Sequence, residues 1–231
     1  MVSRPSLRAI VFDLDGTLID SAPDIAAAVN TVLAESGRPE LSLDDVRGMV
    51  GDGTRALVER AFAAAGGGRV PDGAAMAAPL ARFRDIYEAG ITERTTAYPG
   101  AAAALARLHG AGMRLGVCTN KPDRPARTIL SALGLSRYLH AVIGGDTTPA
   151  RKPDPRHLAA VLDMMEVRPE AAVMVGDGPN DVAVARALGV PVVLVSFGYS
   201  KAPVQGLGAD AMIEDFARLA GALESLGAAA G

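Results

Sequence analysis

Short and nearly continuous apolar runs, each followed by a helical pattern, constrain this chain most. They are Ala9 to Leu14, Met113 to Thr119, Ala141 to Gly144 (the weakest), Ala172 to Gly176 and Pro191 to Ser196. A strand with one wet face alternates apolar and polar residues. These runs do not alternate, as expected of strands buried on both faces in a parallel sheet covered by helices. Helical patterns follow at Ala101 to Leu108, Pro125 to Leu133, Arg156 to Met165 and Asn180 to Leu188. Such alternation predicts an α/β domain, a doubly wound parallel sheet with right-handed crossovers.

One connection breaks the pattern. About 98 residues separate Leu14 from Met113, whereas a whole strand–helix–strand unit takes ~30. A structureless loop of that size is improbable, so the insert carries its own fold. Its apolar residues keep helical spacing: Ile25, Val29, Val32 and Leu33, then Leu57, Val58, Ala61 and Phe62, then Leu80, Phe83 and Tyr87. Gly66-Gly67-Gly68 and Pro71-Asp72-Gly73 break the helices apart. The expected organisation is a core of residues 1–19 and 93–231 with a small helical cap at 20–92. The cap would cover the carboxyl edge of the sheet, where such folds bind ligands.

Composition narrows the function. With 49% hydrophobic and 21% charged residues the chain is globular, not disordered. Its single cysteine, Cys118, rules out a disulfide framework and a cysteine-based zinc site. A net charge of −3 leaves no basic footprint for nucleic acid or anionic lipid. The N-terminal stretch soon meets Asp13 and Asp15, unlike a signal peptide, and no run is long enough to span a membrane. The expectation is a soluble, cytoplasmic protein; monomer and homodimer both remain open.

Polar clusters stand at or just beyond the carboxyl ends of four predicted strands. Asp13-Leu14-Asp15-Gly16-Thr17-Leu18 follows the first, Thr119-Asn120 ends the second, Lys152-Pro153 follows the third, and Gly176-Asp177-Gly178-Pro179-Asn180-Asp181 ends the fourth. Each alone also reads as ordinary structure: an Asp-Gly turn, a helix start, a solvated lysine, a loop. Together they converge, because parallel strands bring their carboxyl ends to one edge. Asp13, Asp15 and Asp177, one lysine and several hydroxyl and amide donors suit a hard, oxygen-preferring cation such as Mg²⁺ and a transferring phosphoryl group.

Phe12-Asp13-Leu14-Asp15-Gly16-Thr17-Leu18-Ile19-Asp20-Ser21 resembles the first motif of the haloacid dehalogenase-like phosphohydrolases. Thr119, Lys152 and Gly176-Asp177 with Asp181 match the second, third and fourth in order. Asp20-Ser21-Ala22-Pro23-Asp24, Val50-Gly51-Asp52-Gly53, Cys118-Thr119-Asn120-Lys121-Pro122, Ile143-Gly144-Gly145-Asp146-Thr147 and Gly198-Tyr199 resemble the phosphoglycolate phosphatases within that family. The resemblance implies a Rossmann-like core, a cap, and an Mg²⁺-dependent phosphomonoesterase acting on a small phosphorylated metabolite. It makes Asp13 the nucleophile of an aspartyl-phosphate mechanism and Asp15 the general acid, then base. Thr119 and the Asn120 N–H hold the phosphate, with Gly16 and Thr17 beside it, and Lys152 neutralises its charge. The metal is held by the Asp13 and Asp177 carboxylates and the Asp15 carbonyl, with Asp181 supporting metal waters or Lys152. Many relatives carry Ser where this chain has Gly178, so one hydroxyl is missing.

The implied substrate is 2-phosphoglycolate; the alternative is another small phosphate, whether nucleotide, sugar phosphate or pyrophosphate. Asp15 argues against a dehalogenase, because halide leaves without a proton. A phospho-acceptor signalling domain would need neither the cap nor Asp15. Gly51-Asp52-Gly53-Thr54-Arg55-Ala56 formally fits a dinucleotide fingerprint, but no strong strand precedes it. It fits better as a cap loop over the active site, from which Arg55 could reach a substrate carboxylate, against the plainer reading of a solvated helix arginine. Lys121 lies beside the phosphate cluster and could aid binding there, against the plainer reading of a lysine in solvent. His109, His140 and His157 have surface or packing roles, and Cys118 is a small apolar residue in a buried strand.

Overall fold

The structure, a computed structural model, describes residues 6–200 and 204–228. The ends of the expected core range, residues 1–5 and 229–231, lie outside the described residues. Eight strands occur in chain order among the described residues: β1 (Ala9–Phe12), β2 (Ile19–Asp20), β3 (Thr96–Ala97), β4 (Arg114–Cys118), β5 (Ala141–Ile143), β6 (Ala172–Gly176), β7 (Val192–Val195) and β8 (Ala211–Ile213). Six form one parallel sheet in the order β5-β4-β1-β6-β7-β8. β1 is central: the chain builds outward through β4 and β5, then returns to β6 and builds the other way. The order therefore reverses between β1 and β6, where open α/β sheets leave a crevice at their carboxyl ends.

Both faces of this sheet are dry, as the unbroken apolar runs require. Ile10, Phe12, Leu115, Val117, Val173 and Val175 pack on one side with helices α5 (Ala101–Gly110) and α6 (Asp123–Ala132). Val11, Cys118, Met174, Val192 and Leu194 pack on the other with α7 (Pro155–Met164) and α8 (Pro179–Ala187). Burying one such large aliphatic side chain is worth ~1.5–3 kcal/mol, so exposing either face would be costly.

The core elements that the periodicity predicts lie within two residues or so of the expected ends, while the ten-residue helix Leu219–Ala228 was not predicted. The first strand stops at Phe12 rather than Leu14. Asp13 makes one last ladder bond, its N–H to Val175 O at 2.8 Å. The Leu14 carbonyl then accepts from the N–H groups of Thr17, Leu18 and Ile19 at 3.2, 2.9 and 3.1 Å, which folds the chain into a tight turn. β8 was not anticipated: it is three residues long and half exposed at the sheet edge, too short to carry a pattern. Nor was the antiparallel ribbon of β2 and β3, two residues from each of two distant segments.

Between β2 and β3 the chain forms α1 (Ala22–Glu35), α2 (Leu43–Arg47), α3 (Thr54–Ala65) and α4 (Ala77–Ala89). All three apolar stripes are buried, and α1 packs against the other three helices. Asp24 on α1 accepts the N–H groups of Arg94 and Thr95 and the Thr95 hydroxyl, at 2.7–3.1 Å. The outgoing and returning crossings are thus fastened together. No helix among the described residues is long and apolar enough to cross a membrane.

Candidate active site

Asp13 leaves the end of β1 and Asp177 the end of β6, on the two sides of the crevice. Lys152, after β5, reaches in between: its Nζ lies 2.8 Å from Asp13 Oδ1 and 2.7 Å from Asp181 Oδ1, with all three side chains nearly inaccessible. Asp181 sits in the first turn of α8, and its other oxygen accepts the N–H groups of Asp177 and Gly178 at 3.0 and 3.1 Å. Asp181 therefore accepts three bonds in holding Lys152 and the Asp177 and Gly178 backbone. Burial opposes the Lys152 charge, but Asp13 and Asp181 hold the ammonium above its ordinary value. Burial also pushes the Asp13 carboxyl up to about 7, Asp181 adding to the rise and Lys152 opposing it. Asp177 is raised by burial first, then by Asp181 and Asp13.

Carboxylate oxygens of Asp13, Asp177 and Asp181 lie within 4.8 Å of one another. Three buried carboxylates, when ionised, facing one buried lysine leave two negative charges uncompensated. That excess fits a divalent cation bound through oxygen. Asp181 already accepts three donors, so Asp13 and Asp177 are the better placed carboxylates to hold it.

Asp15 faces a second buried cation, one expected in solvent from the sequence. Lys121 Nζ lies 3.0 and 3.2 Å from the two Asp15 oxygens, and its side chain is 4% exposed. The correction has a simple cause. The turn after β4 points Lys121 under the cap, where its ammonium lies 4.9 Å from the centre of the Tyr87 ring on α4. The Ser21 hydroxyl also donates to Asp15. Asp15 thus stands apart from the Asp13 cluster with its own countercharge.

Thr119 and Asn120, buried at the end of β4, line a cavity of about 360 Å³ together with Asp13 and Asp15. The Thr119 hydroxyl accepts from Lys121 N at 3.2 Å, which leaves its own hydrogen free to donate. Gly51, Gly53 and Tyr87 close the cavity from the cap side. Loop 50–53 therefore does overhang the carboxylates. A second opening, about 290 Å³, reaches Asp13, Lys152 and Asp177 past Asp52 and Asn180.

Three expected phosphate or substrate contacts are not brought to these cavities. Gly16 and Thr17 use their N–H groups within the turn, to Ile19 O and Leu14 O, and Thr17 is fully buried. Gly16 matters for what it lacks: at φ +80° its α-carbon lies against Asp177, and a side chain there would run into that carboxylate and the Tyr199 ring. Arg55 is exposed, paired with Glu59 at 2.8 Å, and lines neither cavity. It continues the surface of α3 rather than facing inward. At Gly178 an added β-carbon would meet nothing within 4 Å, so the backbone there does not itself require glycine.

Two further residues escaped sequence reasoning. His157 is buried; its Nδ1 accepts from Lys152 N at 3.0 Å and its Nε2 faces Gly144 O at 3.2 Å, so it sets the backbone that carries Lys152. Tyr199 donates its N–H to Asp177 at 2.6 Å, and its hydroxyl accepts the N–H groups of Ser21 and Ala22 at 2.8 and 2.9 Å. It joins the Asp177 carboxylate to the start of the cap. Gly198-Tyr199 was visible as a family-like segment, but nothing local in the sequence signals its contacts, which span about 180 residues.

Comparison with known proteins agrees with this geometry. A family model described as haloacid dehalogenase-like hydrolase matches residues 7–189. The chain is 50% identical over 214 residues to a phosphoglycolate phosphatase of Rhodospirillum rubrum, covering 92% of this chain and 89% of the relative. It is 50% identical over 208 residues to one of Caulobacter vibrioides, covering 90% and 86%. A crystal structure of a predicted phosphoglycolate phosphatase from Haemophilus somnus superposes with a TM-score of 0.89 at 29% identity, covering 93% of this chain and 97% of that one. The chain belongs to the haloacid dehalogenase-like hydrolases.

Proposed function

We propose that this chain is a divalent-cation-dependent phosphomonoesterase that hydrolyses 2-phosphoglycolate to glycolate and phosphate. The observation that carries the chemistry is that Asp13 and Asp15, two residues apart, face one cavity with different partners. Two carboxylates in different surroundings can take different roles. The substrate is supported by the relatives of the same name at 50% identity.

Asp13 attacks phosphorus while the bond to the glycolate oxygen breaks, and Asp15 protonates that oxygen as it leaves. Water then attacks the aspartyl-phosphate, Asp15 takes its proton, and Asp13 is released with inorganic phosphate. Splitting one displacement into two lowers each barrier. Lys152 offsets the charge gathered on Asp13 and the phosphoryl group, and Thr119 and Asn120 position the phosphoryl oxygens. A cation held by Asp13 and Asp177 supplies charge neutralisation; Mg²⁺ is the proposed ion, because only hard oxygen donors surround it. The proposed partner is a small phosphorylated metabolite, the proposed compartment the cytoplasm, and the proposed state a monomer or homodimer.

The test is phosphate release from a panel of phosphate esters with Mg²⁺ and with EDTA. The expected outcome is a cation-dependent rate with 2-phosphoglycolate preferred by at least ~10² in kcat/KM, about 2.7 kcal/mol of discrimination. Asp13→Asn should fall to background, and Asp15→Asn should lose at least ~10²-fold, the usual size of a general acid–base contribution. A different preferred ester would discard the substrate and keep the chemistry; an active Asp13→Asn would discard the nucleophile.

A further inference from the structure

If the leaving group is glycolate, its carboxylate must be recognised somewhere, and Arg55 is not within the cavity. In 2-phosphoglycolate a single methylene separates the ester oxygen from the carboxylate carbon. With phosphorus at Asp13 and the ester oxygen at Asp15, the carboxylate comes to rest beside whatever else faces Asp15.

Few groups there can receive it. Lys152 is taken up by Asp13 and Asp181. Arg124 stands at the mouth, its side chain 84% exposed, paired with Glu88 at 3.5 Å. Arg84 also lines the cavity but is exposed. Lys121 is the buried cation. Two of its three N–H bonds can face the Asp15 oxygens, at 3.0 and 3.2 Å, which leaves one donor. Beneath it lies Tyr87, only 6% exposed and lining the same cavity, whose hydroxyl has no hydrogen-bond partner among the described residues. Burial pushes that hydroxyl up to about 12, so it keeps its proton to donate at neutral pH. A buried hydroxyl left unpaired is costly and selects for a ligand that pairs it. Ile25, Leu57 and Phe83 form apolar wall around the same space, which strengthens a charge–charge contact made inside it.

Resting on the phosphatase reading above, we propose that Lys121 of the core and Tyr87 of the cap together form the receptor for the carboxylate of the leaving group, and that this pair sets the substrate preference. Because one member comes from each side of the cavity, a carboxylate-bearing ester draws the two sides together, and an ester without one does not.

The experiment compares kcat/KM for 2-phosphoglycolate with that for ethyl phosphate, which has the same two-carbon chain and no carboxylate. It uses the full chain with Mg²⁺, as parent, Lys121→Met and Tyr87→Phe. The ratio cancels any effect of either residue on the chemistry that both esters share. It should fall about 10²-fold in Lys121→Met and about 10-fold in Tyr87→Phe, the size expected when a site built to bind a polar group loses its partner. In Tyr87→Phe the loss should appear mainly in KM for 2-phosphoglycolate. Should Lys121→Met not fold, Tyr87→Phe decides alone, since the Tyr87 hydroxyl has no hydrogen-bond partner among the described residues and the variant keeps the ring. A parent that prefers 2-phosphoglycolate, with ratios in the variants within about three-fold of its own, overturns the receptor and leaves the phosphatase reading intact. A parent that handles both esters equally overturns the receptor and the 2-phosphoglycolate preference together, while the phosphatase chemistry stands.

Discussion

Lys152 meets Asp13 and Asp181 through one ammonium at 2.8 and 2.7 Å, so its removal would set two buried carboxylates against each other. Breaking a buried pair by deleting one partner costs about 3–5 kcal/mol, because the remaining charge is left uncompensated. Lys152→Met should lose that much stability, read from urea unfolding of the metal-free protein, besides its loss of activity. A change below about 1 kcal/mol, the ceiling for exposed pairs, would mean that the carboxylates find other compensation. Lys121 shows what local reading misses at this scale. Its type and neighbours in sequence fit a solvated lysine, and only the cap above it, through Tyr87, makes it a buried one. Arg55 is the converse: a charged residue beside an active-site loop that turns outward to Glu59.

Among the elements, the strand ends place the catalytic groups and loop 50–53 joins the cap to them. Asn120 Nδ2 donates to Gly51 O at 2.9 Å and to Lys152 O at 3.0 Å. Asn180, at the start of α8, donates to Asp52 Oδ1 at 2.7 Å. On the far side of the mouth the exposed Arg124–Glu88 pair crosses, besides Lys121 against the Tyr87 ring. These contacts differ in worth. A hydrogen bond to a charged group contributes about 1.5–3 kcal/mol, and Asn180→Ala should therefore weaken the closed arrangement and raise KM by about ten-fold. Arg124→Ala should change KM by less than about two-fold when read with ethyl phosphate, since exposed pairs are worth little. Equal effects of the two variants in steady-state kinetics would show that loop 50–53 does not latch the cap. The apolar runs foretold five of the six strands of the parallel sheet because burial on both faces writes itself into each strand. β8 and the β2–β3 ribbon left no such mark, being too short for any period to show.

Across the whole molecule, acidic charge is concentrated in one buried place, and this ties stability to pH and to the cation. The Asp13 carboxyl rises from 3.8 to about 7 on folding, and Asp177 is raised as well. A carboxyl raised in the folded state costs nothing while both states are protonated. The metal-free fold then loses stability as pH climbs from the unfolded value through the folded one, here between about 4 and 7. A divalent cation replaces those protons and stabilises the folded state by mass action. EDTA should therefore lower the melting temperature more at pH 8 than at pH 5; equal shifts would place the cation away from Asp13 and Asp177. By itself the sequence determined the doubly wound sheet, the helical insertion and the proposed catalytic set of Asp13, Asp15, Lys152 and Asp177, the last through the family motifs it carries. These follow from periodicity and from motifs a few residues long, and the parallel topology brings strand ends together whatever the remaining side chains do. Only the tertiary structure decided that Lys121 is buried against Asp15, that Tyr199 ties Asp177 to the cap, that His157 supports Lys152, and that Gly16, Thr17 and Arg55 lie outside the cavities. Each of those depends on contacts between segments brought together only by packing, and a residue's sequence neighbours carry no record of them.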